Sequence, residues 1–210
     1  MAYDLEEQEQ LASFKAWWND NATAVVGLAA AAVIAVAGWQ GWRLWQANQA
    51  AEAGALYETL VKAVQAGDAK SLRDAGGGLA ENYPRTLYAS LGALAAARYH
   101  FERSDLKNAK AQLQWVLERA PTDELRDLAR LRLAAVLLDE GNHDEALALL
   151  EAKRVAPLGA QYGALKGDIL AAKNRADEAR AAYRAALEEA GDKSEAFRDS
   201  VRLRLDALGG

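Results

Sequence analysis

The 210-residue chain contains no cysteine. That absence excludes disulfides, thiolate metal sites, iron–sulfur clusters, a cysteine nucleophile and lipid attachment through a thiol. It leaves the compartment open, because a core of this size needs no covalent bridges. Proline is scarce as well, with three residues in all. A helix interior excludes proline at a cost of about 3 kcal/mol. Alanine, the best helix former, occurs 49 times. These counts exclude an all-β chain and a Pro/Gly-rich disordered one, and they predict an all-α protein.

Histidine occurs only at positions 100 and 143. Neither His100 nor His143 has a second histidine or carboxylate at i+3 or i+4 that makes a convincing metal pair, so both read as packing residues. Asp144 and Glu145 do follow His143 directly. The chain holds no G-x-x-x-x-G-K-[ST], no G-x-S-x-G and no G-x-G-x-x-G. Gly76-Gly77-Gly78 lacks the Lys and Ser/Thr of a phosphate loop and reads as a loop that ends a helix. Carboxylates alternate with Arg and Lys along helical stretches, the pattern of a solvated face. No catalytic residue, metal site or cofactor is predicted.

The net charge of −5 is unevenly placed. Residues 1–20 hold five acids (Asp4, Glu6, Glu7, Glu9, Asp20) against Lys15, a net of −4. That leaves the rest of the chain a single charge from neutral. A body so balanced, with interspersed signs and no basic stripe, argues against nucleic-acid binding.

One hydrophobic run stands out. From Asn21 to Trp42 no residue is charged. At 1.5 Å per residue a helix over this run is about 33 Å long, the thickness of a bilayer's hydrocarbon core. Trp17 and Trp18 precede it, and Trp39, Trp42 and Trp45 close it together with Arg43. Indole rings favour the headgroup level, and two tryptophan belts about 31 Å apart match two membrane interfaces. Ala35-Val36-Ala37 has the form of a signal-peptidase site. The preceding segment is acidic, however, and the apolar run continues past the cut, so a membrane anchor is favoured over a cleaved leader. It is also favoured over a buried core helix, although the run is rich in alanine. Within the span, Gly27 and Ala31 at i and i+4, with Gly38 beyond, are small enough for close helix contact in lipid. Lys15 before the span and Arg43 and Lys62 after it do not decide its orientation.

After Ala47 the chain reads as helix interrupted at even intervals. Gly67-Asp68, Ser104-Asp105, Gly141-Asn142 and Asn174-Arg175 mark the interruptions. They recur with a period of about 35 residues, the signature of stacked helix–turn–helix units of the tetratricopeptide type. Counting from each turn, Ala109, Ala146 and Ala179 stand at +5, and Leu113, Leu150 and Tyr183 at +9. Val116 and Ala186 stand at +12, and Pro84, Pro121 and Gly191 at +17. A small residue at +5 lets the second helix press on the first, and Pro or Gly at +17 stops it. Ala97, Ala134 and Gly167, seven before a turn, supply the matching small position. The expected architecture is about four helical hairpins closed by a charged C-terminal cap over Ser194 to Leu208. The expected domains are an acidic tail at 1–20, a transmembrane helix at 21–45 and a repeat domain at 46–210. Residues 46–66 continue the membrane helix into the array. First helices of such arrays usually line the concave side, which makes Tyr57, Arg98 and Asp168 candidate partner contacts.

The stretch Phe14-Lys15-Ala16-Trp17-Trp18-Asn19-Asp20-Asn21, the small-residue apolar helix and Gly38-Trp39-Gln40-Gly41-Trp42-Arg43-Leu44-Trp45 resemble the YfgM family, the ancillary subunit of the bacterial SecYEG translocon. The acidic start and tetratricopeptide-like body match in order and length. The resemblance implies an inner-membrane protein with a cytoplasmic tail and a periplasmic repeat domain. It also implies contact with SecYEG and with a membrane-anchored periplasmic chaperone of the prolyl-isomerase type, PpiD, and help in handing emerging secreted proteins to periplasmic chaperones. It implies no catalytic residues, no cofactor and no small-molecule substrate. The alternative is a membrane-tethered tetratricopeptide scaffold of another envelope complex, with an enzyme third.

Overall fold

Four residues in the left-handed region punctuate the repeat: Gly67 (φ 70°), Ser104 (59°), Gly141 (78°) and Asn174 (58°). They are the four residues at which the sequence period predicts its turns. In the structure, a computed structural model that describes residues 2–152, 156–191 and 195–209, each closes one helix and hands the chain to the next. The helices are α1 (Ala2–Ala66), α2 (Ala69–Asn82), α3 (Leu87–Phe101), α4 (Leu106–Arg119) and α5 (Asp123–Asp139). They continue with α6 (His143–Leu150), α7 (Gly159–Ala172), α8 (Ala176–Ala190) and α9 (Glu195–Ala207). A 3-10 turn at Ala156–Leu158 leads into α7. Internal contacts divide the chain into two compact units, Met1–Asn48 and Gln49–Gly210.

Each turn repeats one hydrogen-bond pattern. The left-handed residue donates its N–H three residues back (Gly67 to Val64, Ser104 to Phe101, Gly141 to Leu138, Asn174 to Ala171). The following residue donates five back (Asp68 to Ala63, Asp105 to His100, Asn142 to Leu137, Arg175 to Leu170). This Schellman arrangement satisfies carbonyls that the helix end leaves unpaired. The second turn residue is also the N-cap of the next helix, so two residues suffice to reverse the chain. Asp68 accepts from the N–H groups of Lys70 and Ser71, and Asp105 from that of Asn108. Side-chain hydrogen bonds lower both carboxyls further from their ordinary value than the backbone ones do, that of the Ser71 hydroxyl to Asp68 and that of the Asn108 amide to Asp105.

Within the Gln49–Gly210 unit the end of α1 pairs with α2, α3 with α4, α5 with α6 and α7 with α8. Each hairpin packs on the next through α2 on α3, α4 on α5 and α6 on α7. This is the expected all-α solenoid of four hairpins. The +5 alanines Ala109, Ala146 and Ala179 are completely buried. The pairs at −7 and +9 trade size between partners: Leu60 with Gly76, Ala97 with Leu113, Ala134 with Leu150, Gly167 with Tyr183. A Cβ on Gly167 would overlap the Tyr183 ring, so that ring rests on bare backbone. At the other end of the series, the Cβ position of Gly76 is 3.7 Å from a Leu60 methyl.

This pairing corrects the reading of Gly76-Gly77-Gly78, which form no loop but lie inside α2. A helical glycine costs about 1 kcal/mol relative to alanine. Here Gly76 faces Leu60, which is fully buried, and a Cβ on Gly78 would lie 3.5 Å from a Leu56 methyl. Burying a leucine contributes about 1.5–3 kcal/mol, enough to offset the glycines that admit it.

Helix α9 packs on α8 and buries Val201 among Ala179, Tyr183 and Ala186, with Phe197, Leu205 and Leu208 beside it. Asp199 and Arg202 pair on its outer side, as a terminal cap requires. Ser194, its expected first residue, lies outside the described residues.

Two expectations follow for thermal unfolding. Ala146→Trp and Ala179→Trp overpack tight contacts and should each cost about 1–3 kcal/mol. Ala152→Trp, at an exposed site, should leave the midpoint nearly unchanged. Left-handed geometry costs a non-glycine residue about 1–2 kcal/mol, partly offset by its stiffer unfolded chain. Ser104→Gly should therefore raise the midpoint, whereas Gly141→Ala should lower it. A lower midpoint for Ser104→Gly would show that its hydroxyl matters more than its φ.

Candidate functional site

In the Met1–Asn48 unit, residues 2–48 form one helical segment, and the described aliphatic side chains of its uncharged run are not covered within it. Val26, Leu28, Val33, Ile34 and Val36 are all exposed, Leu28 to 73%. An uninterrupted apolar surface of this extent is not stable in water. α1 is the one helix among the described residues long and apolar enough to cross a membrane. Its aromatic residues cluster at both ends of the uncharged run. Phe14 stacks on Trp17 at 6.2 Å between centroids, and Trp42 lies 5.2 Å from Trp45. Trp18 packs beside Trp17 at 6.5 Å. The Arg43 guanidinium sits 5.1 Å over the Trp39 ring, a cation–π contact that leaves the charge free to face headgroups or water.

In the repeat unit the three candidate partner residues have different surroundings. Tyr57, half-buried, lies 5.8 Å from the Tyr88 ring and joins the core of the first hairpin. Arg98 is exposed on α3, and its Nε donates to Glu102 at 2.7 Å. Asp168 is tied down at both oxygens. It accepts from the Tyr183 hydroxyl at 2.8 Å and from Arg204 at 2.8 Å, thereby linking α7, α8 and α9. Burial, then the hydrogen bond to Asp168, push the Tyr183 phenol well above its ordinary value. The structure does not bring the three residues together.

Among the described residues, three grooves stand out on the surface of this unit. One, of about 530 Å³, runs between α6 and α8 over α7, with carboxylates Glu151, Glu178 and Glu189 and a single Lys166 at its edges. A second, of about 490 Å³, lies between α2 and α4 over the small residues of α3, beside Trp115 and His100. The third, of about 330 Å³, lies between first helices α3 and α5 and is lined by Ala97, Arg98, Phe101, Arg132, Ala135 and Val136 over Leu113. Sequence reasoning places Arg98 on this side but misses Arg132 and Phe101. Arg98 and Phe101 share a helix face at i and i+3, a spacing that pairs them in the sequence; Arg132 joins them only through tertiary packing.

Neither histidine gathers a cluster. His100 Nδ1 lies 2.9 Å from Asp105 Oδ2, a partner at i+5 across the turn that the helical spacing rule does not reveal. Among the described residues no three His, Asp or Glu side chains converge to hold a metal ion.

Asp168 generates a stability test. Asp168→Ala leaves the Tyr183 hydroxyl and the Arg204 guanidinium without their acceptor, and should destabilise the cap by about 1–3 kcal/mol. Asp168→Asn, which keeps an acceptor, should lose less. Equal losses for the two would assign the effect to charge alone.

A sequence profile of the tetratricopeptide repeat-like domain family matches residues 15–210. A protein of Neisseria gonorrhoeae named ancillary SecYEG translocon subunit is 32% identical over 209 residues, covering 99% of this chain and all of that one. A protein of the same name from Aggregatibacter actinomycetemcomitans is 32% identical over 208 residues, 99% of this chain and all of the relative. Its Escherichia coli K12 counterpart is 28% identical over 156 residues, 74% of each chain. No solved structure matches. With a tetratricopeptide-like body behind an apolar N-terminal helix, and 32% identity from end to end with two of these proteins, the chain belongs to the YfgM family of ancillary SecYEG translocon subunits.

Proposed function

We propose that this protein is a non-enzymatic, membrane-anchored adaptor of the Sec translocon. Helix residues 21–45 span the bacterial inner membrane, with Trp17, Trp18, Trp39, Trp42, Arg43 and Trp45 at the two interfaces. The acidic tail at 1–20 is cytoplasmic and the repeat domain at 46–210 periplasmic. There the repeats contact SecYEG and a membrane-anchored chaperone of the prolyl-isomerase type, and help pass emerging secreted proteins to periplasmic chaperones.

The observation that carries this reading is the union, in one chain, of a Trp-bounded apolar helix and a hairpin array that together align end to end with ancillary translocon subunits. The physical division of labour supports it. The bilayer holds the protein at its site of action, so modest contacts on the repeats act at a raised effective concentration. The near-neutral body has no long-range field to steer partners, which makes tethering the main source of encounter.

Two measurements test it. A reporter fused after Gly210 should be active in the periplasm, and protease added to spheroplasts should digest the body. Solubilised in mild detergent, the full chain should bring down SecY and the chaperone in stoichiometric amounts. A cytoplasmic C-terminus would overturn the orientation. Recovery of a different stoichiometric partner would favour a scaffold of another envelope complex.

A further inference from the structure

The groove between α3 and α5 differs from the other two in charge and in what its charges touch. It is open to solvent, and its floor and walls are apolar: Ala97 and Phe101 from α3, Ala135 and Val136 from α5, Leu113 below. Phe101 remains 39% exposed although it ends a packed helix. Two guanidinium groups border this apolar surface and no carboxylate lines it. Arg98 shares its charge with Glu102. Arg132 has no ion pair or hydrogen bond among the described residues, and the charge that acts on it is that of Arg98, of the same sign. Partial burial, and then that repulsion, lower Arg132 from its ordinary value. Elsewhere on the array, inter-helix cations meet acids: Lys110 binds Glu140 at 2.7 Å, Lys173 binds Asp144 and Arg204 binds Asp168.

We propose that this groove docks a protein segment in which carboxylates alternate with apolar side chains. The guanidinium fork matches a carboxylate with two parallel hydrogen bonds, and Arg132 has its donors uncommitted. A carboxylate placed between Arg132 and Arg98 relieves their mutual repulsion, while its apolar neighbours cover Phe101, Val136 and Leu113. A free inorganic anion would leave that apolar surface wet. The inference rests on the repeat domain being a partner-binding array, and it specifies the chemistry of the segment bound.

The test uses the full chain in phosphatidylcholine nanodiscs and two fluorescent ten-residue probe peptides. One alternates Asp and Glu with Leu and Phe; the other has Asn and Gln in place of the acids. The acidic probe should bind, more weakly at raised salt, and at least about tenfold tighter than the amide probe. Arg132→Gln should weaken the acidic probe about tenfold and leave the amide probe unchanged. Arg98→Gln, whose charge is already shared, should cost about threefold. Phe101→Ala should weaken both probes alike. Thermal midpoints check that each variant is folded. Equal binding of the two probes, no loss in Arg132→Gln, or displacement of the acidic probe by phosphatidylglycerol vesicles would overturn the proposal. Recovery of SecY with the wild-type chain reads the Sec association separately. Its loss in wild type with peptide binding intact would sink the translocon reading and leave the groove standing.

Discussion

The structure depends on a two-residue reversal in which a left-handed residue ends one helix and its neighbour caps the next. That reversal fixes the phase of both helices, because every inward position is counted from it. Seven residues before and five or nine after, the side chains meet whatever the local sequence offers. Glycine meets the φ requirement without strain at 67 and 141; serine at 104 and asparagine at 174 meet it at a cost. The outcome is the same hydrogen-bond pattern four times over. Hairpins so formed leave one apolar face each, and stacking is the way to bury it.

The two compact units solve opposite solvation problems. In Gln49–Gly210 leucine, alanine and tyrosine are withdrawn from water by neighbouring helices, and charged side chains pair across the surface. In Met1–Asn48 valine, leucine and isoleucine point outward with nothing of this unit to cover them. A helix satisfies its own backbone hydrogen bonds, so the unit needs from its surroundings only an apolar medium. The tryptophans and Arg43 bracket the segment for which that medium is required.

Much of this is legible in the sequence because the information is local. The left-handed turns announce themselves as Gly-Asp, Ser-Asp, Gly-Asn and Asn-Arg at a steady period, and the +5 alanines follow from counting. The glycine run at 76–78 misleads because propensity sees three weak helix formers and not the leucines at 56 and 60 that occupy the space they leave. The His100–Asp105 contact escapes because it spans a turn, where helical spacing no longer applies. The trough beside Phe101 escapes for a stronger reason. Arg98 and Arg132 stand on successive first helices of the array, yet nothing in either helix alone says that their guanidinium groups border one groove.

The size exchange at the −7 and +9 positions bears on how such an array can change over evolutionary time. Leucine on glycine, alanine on leucine and glycine on tyrosine fill their shared space only as matched partners. Transplanting α8 onto the first helix of the opening hairpin would set Tyr183 against Leu60, and moving α2 onto α7 would set glycine on glycine around a void. Whole hairpins can be duplicated, lost or shuffled with this complementarity intact; among single helices only the counterparts in α3–α4 and α5–α6, which both set leucine on alanine, could trade places at these positions. The heritable module is therefore the pair, and gain or loss of length should proceed in steps of one complete turn-centred hairpin.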